Sequence, residues 1–250
     1  LGICKIPNIS SKICMHLKNK YFQEPIISEN KRSILPEILI DDPILIHIFS
    51  DKKIIRPIQE YLGIFPSIQF IASWENKGGD HPIRTNEMYW HMDHHGHRFV
   101  KVFYYLDDMI LGMGHHQFIS NTHNQSAFDK RLKALDPYSL HLKKVLTKKR
   151  NLRGRYKIED DAIWPIAKDI IDVIGSAGKG FAEDTRGIHR GTPLPPNAHR
   201  RIIQCLYLPI PNGKDKRLSL TSGEDIRAAV QKRNNYTNFE IEKLFSLLDQ

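Results

Sequence analysis

The sequence predicts a mainly β fold with flanking helices, and three observations carry that expectation. From Ser67 to Trp74 onward, short runs rich in β-branched and aromatic residues alternate with Gly, Asn and Asp turns. That is the pattern of an antiparallel sandwich or barrel. On either side of this region apolar residues recur at helical spacing instead. With 250 residues and 40% hydrophobic content, the chain is long enough to bury one sizeable core, so 1–250 reads as a single domain.

In chain order, the flank 1–66 reads as helical. Ser10 to Phe22 and Pro43 to Leu62 have apolar positions at helical spacing, and Gly63 is a stop for the second helix. Both would pack outside the β core, which spans 67–210 and carries a helical insertion at about 128–170. From Phe128 to about Lys157 that insertion is strongly basic: Lys130 to Arg155 hold ten Lys and Arg, with only Asp129 and Asp136 beside them. A segment so placed could cover a barrel mouth as a lid for an anionic substrate; the alternative is a solvated helical face. Glu159, Asp160 and Asp161 open a further helix through Ala162 to Ile171, and Ile170 to Ile174 begin a strand before Gly175. In the closing segment 211–250, Gly223 to Lys232 and Asn238 to Leu248 read as helices.

No run of about 18 apolar residues and no charged segment preceding an apolar one is visible, so neither a membrane span nor a signal peptide is expected. Cys4, Cys14 and Cys205 are odd in number and lack Cys-x-x-Cys spacing, which argues against a disulfide scaffold or a thiolate zinc site. A cytoplasmic location follows as the expectation. The net charge of +9 suits nucleic acid or an anionic substrate, but the richness in Ile, Lys and Asn weakens that inference.

The residues that point to chemistry are His91 and Asp93. On an extended segment their spacing of two puts both on one face, with Met92 pointing away. His189 follows 98 residues after His91 (189 minus 91), and Arg200 follows it by 11 (200 minus 189). Two imidazoles and one carboxylate make the facial triad that holds non-heme Fe(II) with open positions opposite; the bland reading is a structural His-x-Asp pair. His94, His95 and His97 crowd the same loop, but further ligands would close the site. Substrate or supporting contacts suit them better, His94 and His95 above all. His115, His116 and His123 read as parts of a turn without a catalytic role, and Trp74 and Trp90 as core or cavity wall.

The context of these residues resembles the phytanoyl-CoA dioxygenase-like family of Fe(II)/2-oxoglutarate-dependent oxygenases. Phe99 to Asp108 is similar to the strand after the family's first ligands. Gly112 to His123 is similar to its Gly-Pro-His-x-Phe-Val-x-Gly-Ser-His segment, departing at Met113-Gly114 and Asn121-Thr122, and Gly175 to Phe181 leading into Asp184 to Gly191 matches best. Together these motifs cover roughly residues 85 to 208.

The resemblance implies a double-stranded β-helix (jelly roll, cupin-like) with His91, Asp93 and His189 as catalytic metal ligands. It also implies Fe(II), 2-oxoglutarate and dioxygen, and hydroxylation of a small molecule with decarboxylation of 2-oxoglutarate to succinate. Asp93 excludes the halogenase variant, in which a small residue replaces the carboxylate. The family's distal Arg pairs with the far carboxylate of 2-oxoglutarate, a task for a planar guanidinium. Arg200 is the choice, and strand parity admits only one of Arg200 and Arg201. Lys101 lies in an apolar strand where an inward Lys needs an anionic partner, which makes it a second candidate contact to 2-oxoglutarate, against a lysine that snorkels outward. Two other classes stay open: a basic nucleic-acid-binding module, and a metal-binding cupin-like protein without catalysis.

Overall fold

The computed structural model describes residues 1–23, 31–34, 38–39, 41–79, 86–134, 158–209 and 223–245. Two antiparallel sheets face each other. The larger runs in the order β1 (Ile3–Lys5), β7 (Gly180–Glu183), β4 (Val100–Tyr105), β9 (His199–Leu208), β3 (Ser67–Lys77) and β2 (Lys31–Ile34). The smaller runs β6 (Ile170–Val173), β5 (His116–Ile119), β8 (His189–Gly191). Single bridges from Trp90 to Ile158 and from His91 to His189 lay the 90–91 segment along the other side of β8. Strands adjacent in space are distant in sequence because the chain passes back and forth between the sheets, as in a double-stranded β-helix.

The period of two divides the large sheet into a helix face and a site face. Val100, Val102 and Tyr104 of β4, with Ile203, Cys205 and Tyr207 of β9, join Leu17, Phe49 and Ile55 in the main apolar cluster. Lys101, Phe103 and Tyr105, with Arg200, Ile202 and Gln204, turn the other way and line a cavity between the sheets. The central strand β4 is buried throughout, so its charged Lys101 must find its partner inside.

Helices cover the first face. α1 (Ser11–Tyr21) starts where Ser10 accepts a bond from Ile13 N–H at 3.3 Å, and it buries Cys14, Leu17 and Tyr21. The single helix expected over Pro43 to Leu62 is two helices, α2 (Pro43–Phe49) and α3 (Lys52–Leu62). The break follows from the caps: Asp51 is extended and accepts from Lys53 N–H at 2.8 Å, starting a new helix one residue after Ser50 ends the old one. Gly63, at φ +76°, ends α3 in the left-handed conformation that glycine favours.

Two strands stand in the flank expected to be helical, β1 and β2, at the edges of the large sheet. With three and four residues they are too short to show a period; pairing with β7 and β3 makes them strands.

In the insertion, α4 (Gln125–Lys133) is capped by Asn124, and Arg131 pairs with Asp169 at 2.9 Å. Residues 135–157, with Lys143, Lys144, Lys148 and Lys149, lie outside the described residues. The helix expected through Ile171 is shorter: α5 (Asp160–Ile163) passes into a 3-10 turn at Trp164–Ile166, where Pro165 supplies no N–H to continue it. β6 follows. α6 (Gly223–Asn234) and α7 (Asn238–Phe245) return to the helix face, where Val230, Leu244 and Phe245 share the cluster of Leu17. Among the described residues no helix is long and apolar enough to cross a membrane, and Cys4, Cys14 and Cys205 are free thiols.

Candidate metal centre

His189 opens β8, and His91 lies beside it in a two-way backbone bridge, His91 N–H to His189 O at 2.9 Å and His189 N–H to His91 O at 3.0 Å. This bridge brings residues 98 positions apart side by side, with ring centroids 4.2 Å apart. Two residues further on, Asp93 N–H bonds Thr185 O at 2.8 Å, which turns the Asp93 carboxylate toward the same point. His91 Nε2 is 4.0 Å from Asp93 Oδ1, and His189 Nε2 is 3.6 Å from Asp93 Oδ2. One ligand atom from each of the three lies within 4.8 Å of the others, and all three residues are buried. Among the described residues this is the group of His, Cys, Asp and Glu that could hold a metal ion.

The imidazoles are set up for that task. His91 Nδ1 lies 2.7 Å from Tyr89 O and His189 Nδ1 2.9 Å from Gly187 O. A carbonyl only accepts, so each Nδ1 carries the hydrogen and each Nε2 presents its lone pair to the centre. Burial, and then the neighbouring His91, hold His189 well below the ordinary histidine range. It is therefore neutral at pH 7, the form that binds metals.

Lys101 enters from β4. Its Nζ is 2.7 Å from Asp93 Oδ2 with both side chains almost wholly buried, so the lysine turns inward and meets a carboxylate. Across the strand pair in register stands Glu183, whose Oε2 is 2.5 Å from His116 Nε2 and whose Oε1 is 3.5 Å from His189 Nδ1. Burial raises the Glu183 carboxyl against the pull of His116. The His116 ring stacks on His189 with centroids 5.5 Å apart.

At another part of the cavity lies Arg200. Its guanidinium donates to Gly114 O at 2.8 Å and to Asn76 Oδ1 at 2.9 Å, both neutral acceptors. No carboxylate lies within ion-pair distance of it among the described residues, although Glu87, paired with Lys31, lines the same cavity and its charge acts on the guanidinium; burial lowers the Arg200 pKa. Three buried donors cluster in this region of β3 and β9 without a hydrogen-bond partner among the described residues: Arg200 Nε, Asn76 Nδ2 and Trp74 Nε1. A buried cation beside unmet donors fits an anion. Arg201 faces the other way, 3.0 Å from Asp107 and 2.8 Å from Glu75.

The other histidines separate clearly. His94 and His97 are exposed, and the His95 ring packs edge-on against Phe99 at 5.1 Å and Phe70 at 6.0 Å. None of the three lines the cavity. His115 bonds Asp172 at 2.8 Å, and His123 packs against Phe118. His116, read from sequence as part of a turn, instead lies on β5 in the cavity wall. Trp90 is core, under Arg190 at 4.3 Å, and Trp74 is cavity wall.

Sequence reasoning also missed Glu183 and Asn76. Glu183 could have been found by the logic applied to Lys101, since a charged residue in the run Gly180-Phe181-Ala182-Glu183 is costly unless paired. Asn76 is visible only once β3 and β9 are in register, with Asn76 opposite Arg200.

No protein-family model matches the chain, and no curated protein matches it by sequence. Solved structures do. HygX from Streptomyces hygroscopicus, with nickel and 2-oxoglutarate bound, is similar at a TM-score of 0.55 and 14% identity, over 90% of this chain and 89% of that one. The non-heme alpha ketoglutarate dependent epimerase SnoN from nogalamycin biosynthesis gives 0.56 and 12%, over 83% and 78%. EctD from S. alaskensis gives 0.53 and 16%, over 82% and 72%. At such identities the likeness is one of fold, and it places this chain among mainly antiparallel jelly rolls with flanking helices.

Proposed function

We propose that this chain is an Fe(II)- and 2-oxoglutarate-dependent dioxygenase of the phytanoyl-CoA dioxygenase-like kind, hydroxylating a small molecule. One observation carries the reading: the convergent His91, Asp93 and His189 share a buried cavity with Arg200, a cation that has no carboxylate partner among the described residues. The first group suits Fe(II), with positions left for ligands. The second suits the far carboxylate of 2-oxoglutarate, with Arg200 Nε, Asn76 Nδ2 and Trp74 Nε1 as donors unmet among the described residues. HygX and SnoN have each been crystallised with a metal and the co-substrate, named in one as 2-oxoglutarate and in the other as alpha ketoglutarate.

When bound, iron, 2-oxoglutarate and dioxygen would supply the oxidising chemistry. The chain's own residues have simpler tasks. His91 and His189 offer neutral Nε2 atoms, and Asp93 offers a carboxylate. Arg200 orients the co-substrate from the sheet opposite β8. Phe103 and Tyr105 help to keep the cavity wall apolar and water out.

The substrate is read as a small molecule, in line with HygX and SnoN, which have been crystallised with hygromycin B and nogalamycin RO respectively. Its anionic character rests only on the basic segment from Lys130 to Arg155. We read 1–250 as one oxygenase domain in a reducing cytoplasm, where its free thiols would persist. No observation favours a nucleic-acid-binding module or a non-catalytic cupin-like protein over this reading.

The test is anaerobic loading with Fe(II), followed by 2-oxoglutarate and air. Wild type should form succinate, and His189→Ala should lose at least about a hundredfold of that rate, roughly 2.7 kcal/mol. Full turnover by the variant would overturn the ligand assignment. Once a small-molecule substrate is supplied, a product that gains one oxygen marks hydroxylation, and a product of unchanged mass marks an epimerase.

A further inference from the structure

We propose that Lys101 is a positioning residue of the metal centre, holding Oδ2 of Asp93 so that the carboxylate offers the ion one oxygen and not two. The inference rests on the dioxygenase reading and adds a device to it. Lys101 is the second residue of the buried strand β4 and is 2% exposed, with Nζ 2.7 Å from Asp93 Oδ2. The partner is fixed in turn, because Asp93 N–H is held by Thr185 O at 2.8 Å and its other oxygen faces His91 Nε2 at 4.0 Å. Oδ2 also lies 3.6 Å from His189 Nε2, so each oxygen faces one imidazole, and the ammonium on Oδ2 is what distinguishes the two lobes.

The count of coordination positions shows why this matters. An octahedral ion held by two imidazoles and one oxygen keeps three positions, enough for a two-point chelator and dioxygen together. A carboxylate binding through both oxygens would remove one of them. A charge-assisted bond to Oδ2 draws electron density toward the ammonium, leaving Oδ1 as the better donor. The arrangement has a cost: a cation beside a metal site weakens metal binding. Lys101 therefore trades metal affinity for an open position, which separates it from a lysine that merely neutralises a buried Asp.

The test uses Co(II), whose visible absorption reports its coordination number, added anaerobically to the intact chain with and without 2-oxoglutarate. In Lys101→Met, which keeps the stem and removes the charge, we expect the spectrum without 2-oxoglutarate to change. Co(II) should bind at least as tightly as in wild type, while 2-oxoglutarate binds at least about tenfold more weakly. Lys101→Arg should restore the wild-type spectrum in part. An unchanged Co(II) spectrum overturns the proposal; with weaker 2-oxoglutarate binding it makes Lys101 a direct contact of the co-substrate, and with unchanged binding a purely structural partner. Weakening of both ligands together also overturns it. Should the Met variant not fold, a crystal structure of wild type soaked in Co(II) decides: one Asp93 oxygen on the ion with Lys101 on the other supports the device, and chelation by both oxygens refutes it. If wild type takes up no Co(II) at the triad, the dioxygenase reading itself has failed, an outcome distinct from all of these.

Discussion

Gly191 has no side chain because Arg200 occupies the space. A Cβ there would lie 1.7 Å from Arg200 Nη1 and 2.6 Å from its Cζ, a clash that only displacement of the guanidinium relieves. Gly191→Ala should therefore act as a remote lesion in the anion site, weakening 2-oxoglutarate by about tenfold or more, roughly 1.4 kcal/mol. Arg200→Ala should do the same or worse, whereas Arg201→Ala should leave affinity within about twofold, since Arg201 pairs with Asp107 and Glu75 on the opposite face. Calorimetric titration of the metal-loaded variants checks the ranking, and a larger loss from Arg201→Ala would reverse the assigned strand face. At this scale much was legible. The His-x-Asp spacing, the later His189 and the parity that sets Arg200 against Arg201 are all properties of the linear sequence. His116 was not, because its place beside His189 depends on β5 pairing with β8, a contact between segments more than 70 residues apart.

Among the elements, α2 shows how a buried charge anchors a helix. Asp42 caps it by accepting from Ile44 N–H at 2.8 Å, and the same carboxylate receives Tyr21 OH at 2.5 Å and Lys20 Nζ at 2.9 Å. α1 and α2 are thereby joined. Burial alone would raise the Asp42 pKa, but the bonds from Tyr21, Lys20 and Ile44 outweigh it and hold it below the ordinary value. A folded pKa below the unfolded one, about 3.9 for Asp, means stability that is fully present above the unfolded value and is lost as pH falls toward the folded one. Asp42→Asn should thus cost about 1–2 kcal/mol at pH 7. The gap to wild type should stay constant above about pH 5 and shrink below about pH 4. Denaturant midpoints across that range measure it; a gap that widens in acid would reverse the sign. The long elements were readable from their periods and caps, β3 from Ser67 and α1 from Ser10 among them. The short edge strands β1 and β2 were not, nor was the break at Ser50 and Asp51, because tertiary pairing or a single cap decides each of them.

Taken whole, the molecule keeps its two tasks on opposite sides of one sheet. The helix face of β4 and β9 buries an apolar cluster that draws residues from Cys14 to Phe245, while the site face holds Lys101 and Arg200 over a cavity closed by the smaller sheet, with Glu183 behind its wall against His116. Such a separation lets the apolar side supply stability while the polar side keeps its charges buried in the cavity. It also makes the site's ligands visible in the stability of the whole fold, since binding to the folded state alone raises apparent stability by RT ln(1 + [L]/Kd), about 2.7 kcal/mol at a hundredfold excess over Kd. The measurement that bears most directly on the central claim is thermal unfolding under anaerobic conditions with 2-oxoglutarate, in the presence and absence of Fe(II). On the proposed reading, one end of that molecule needs a metal held by His91, Asp93 and His189, and the other needs Arg200. The account predicts a rise in Tm from 2-oxoglutarate only when metal is present, and its loss in His189→Ala. An equal rise with and without metal would contradict it.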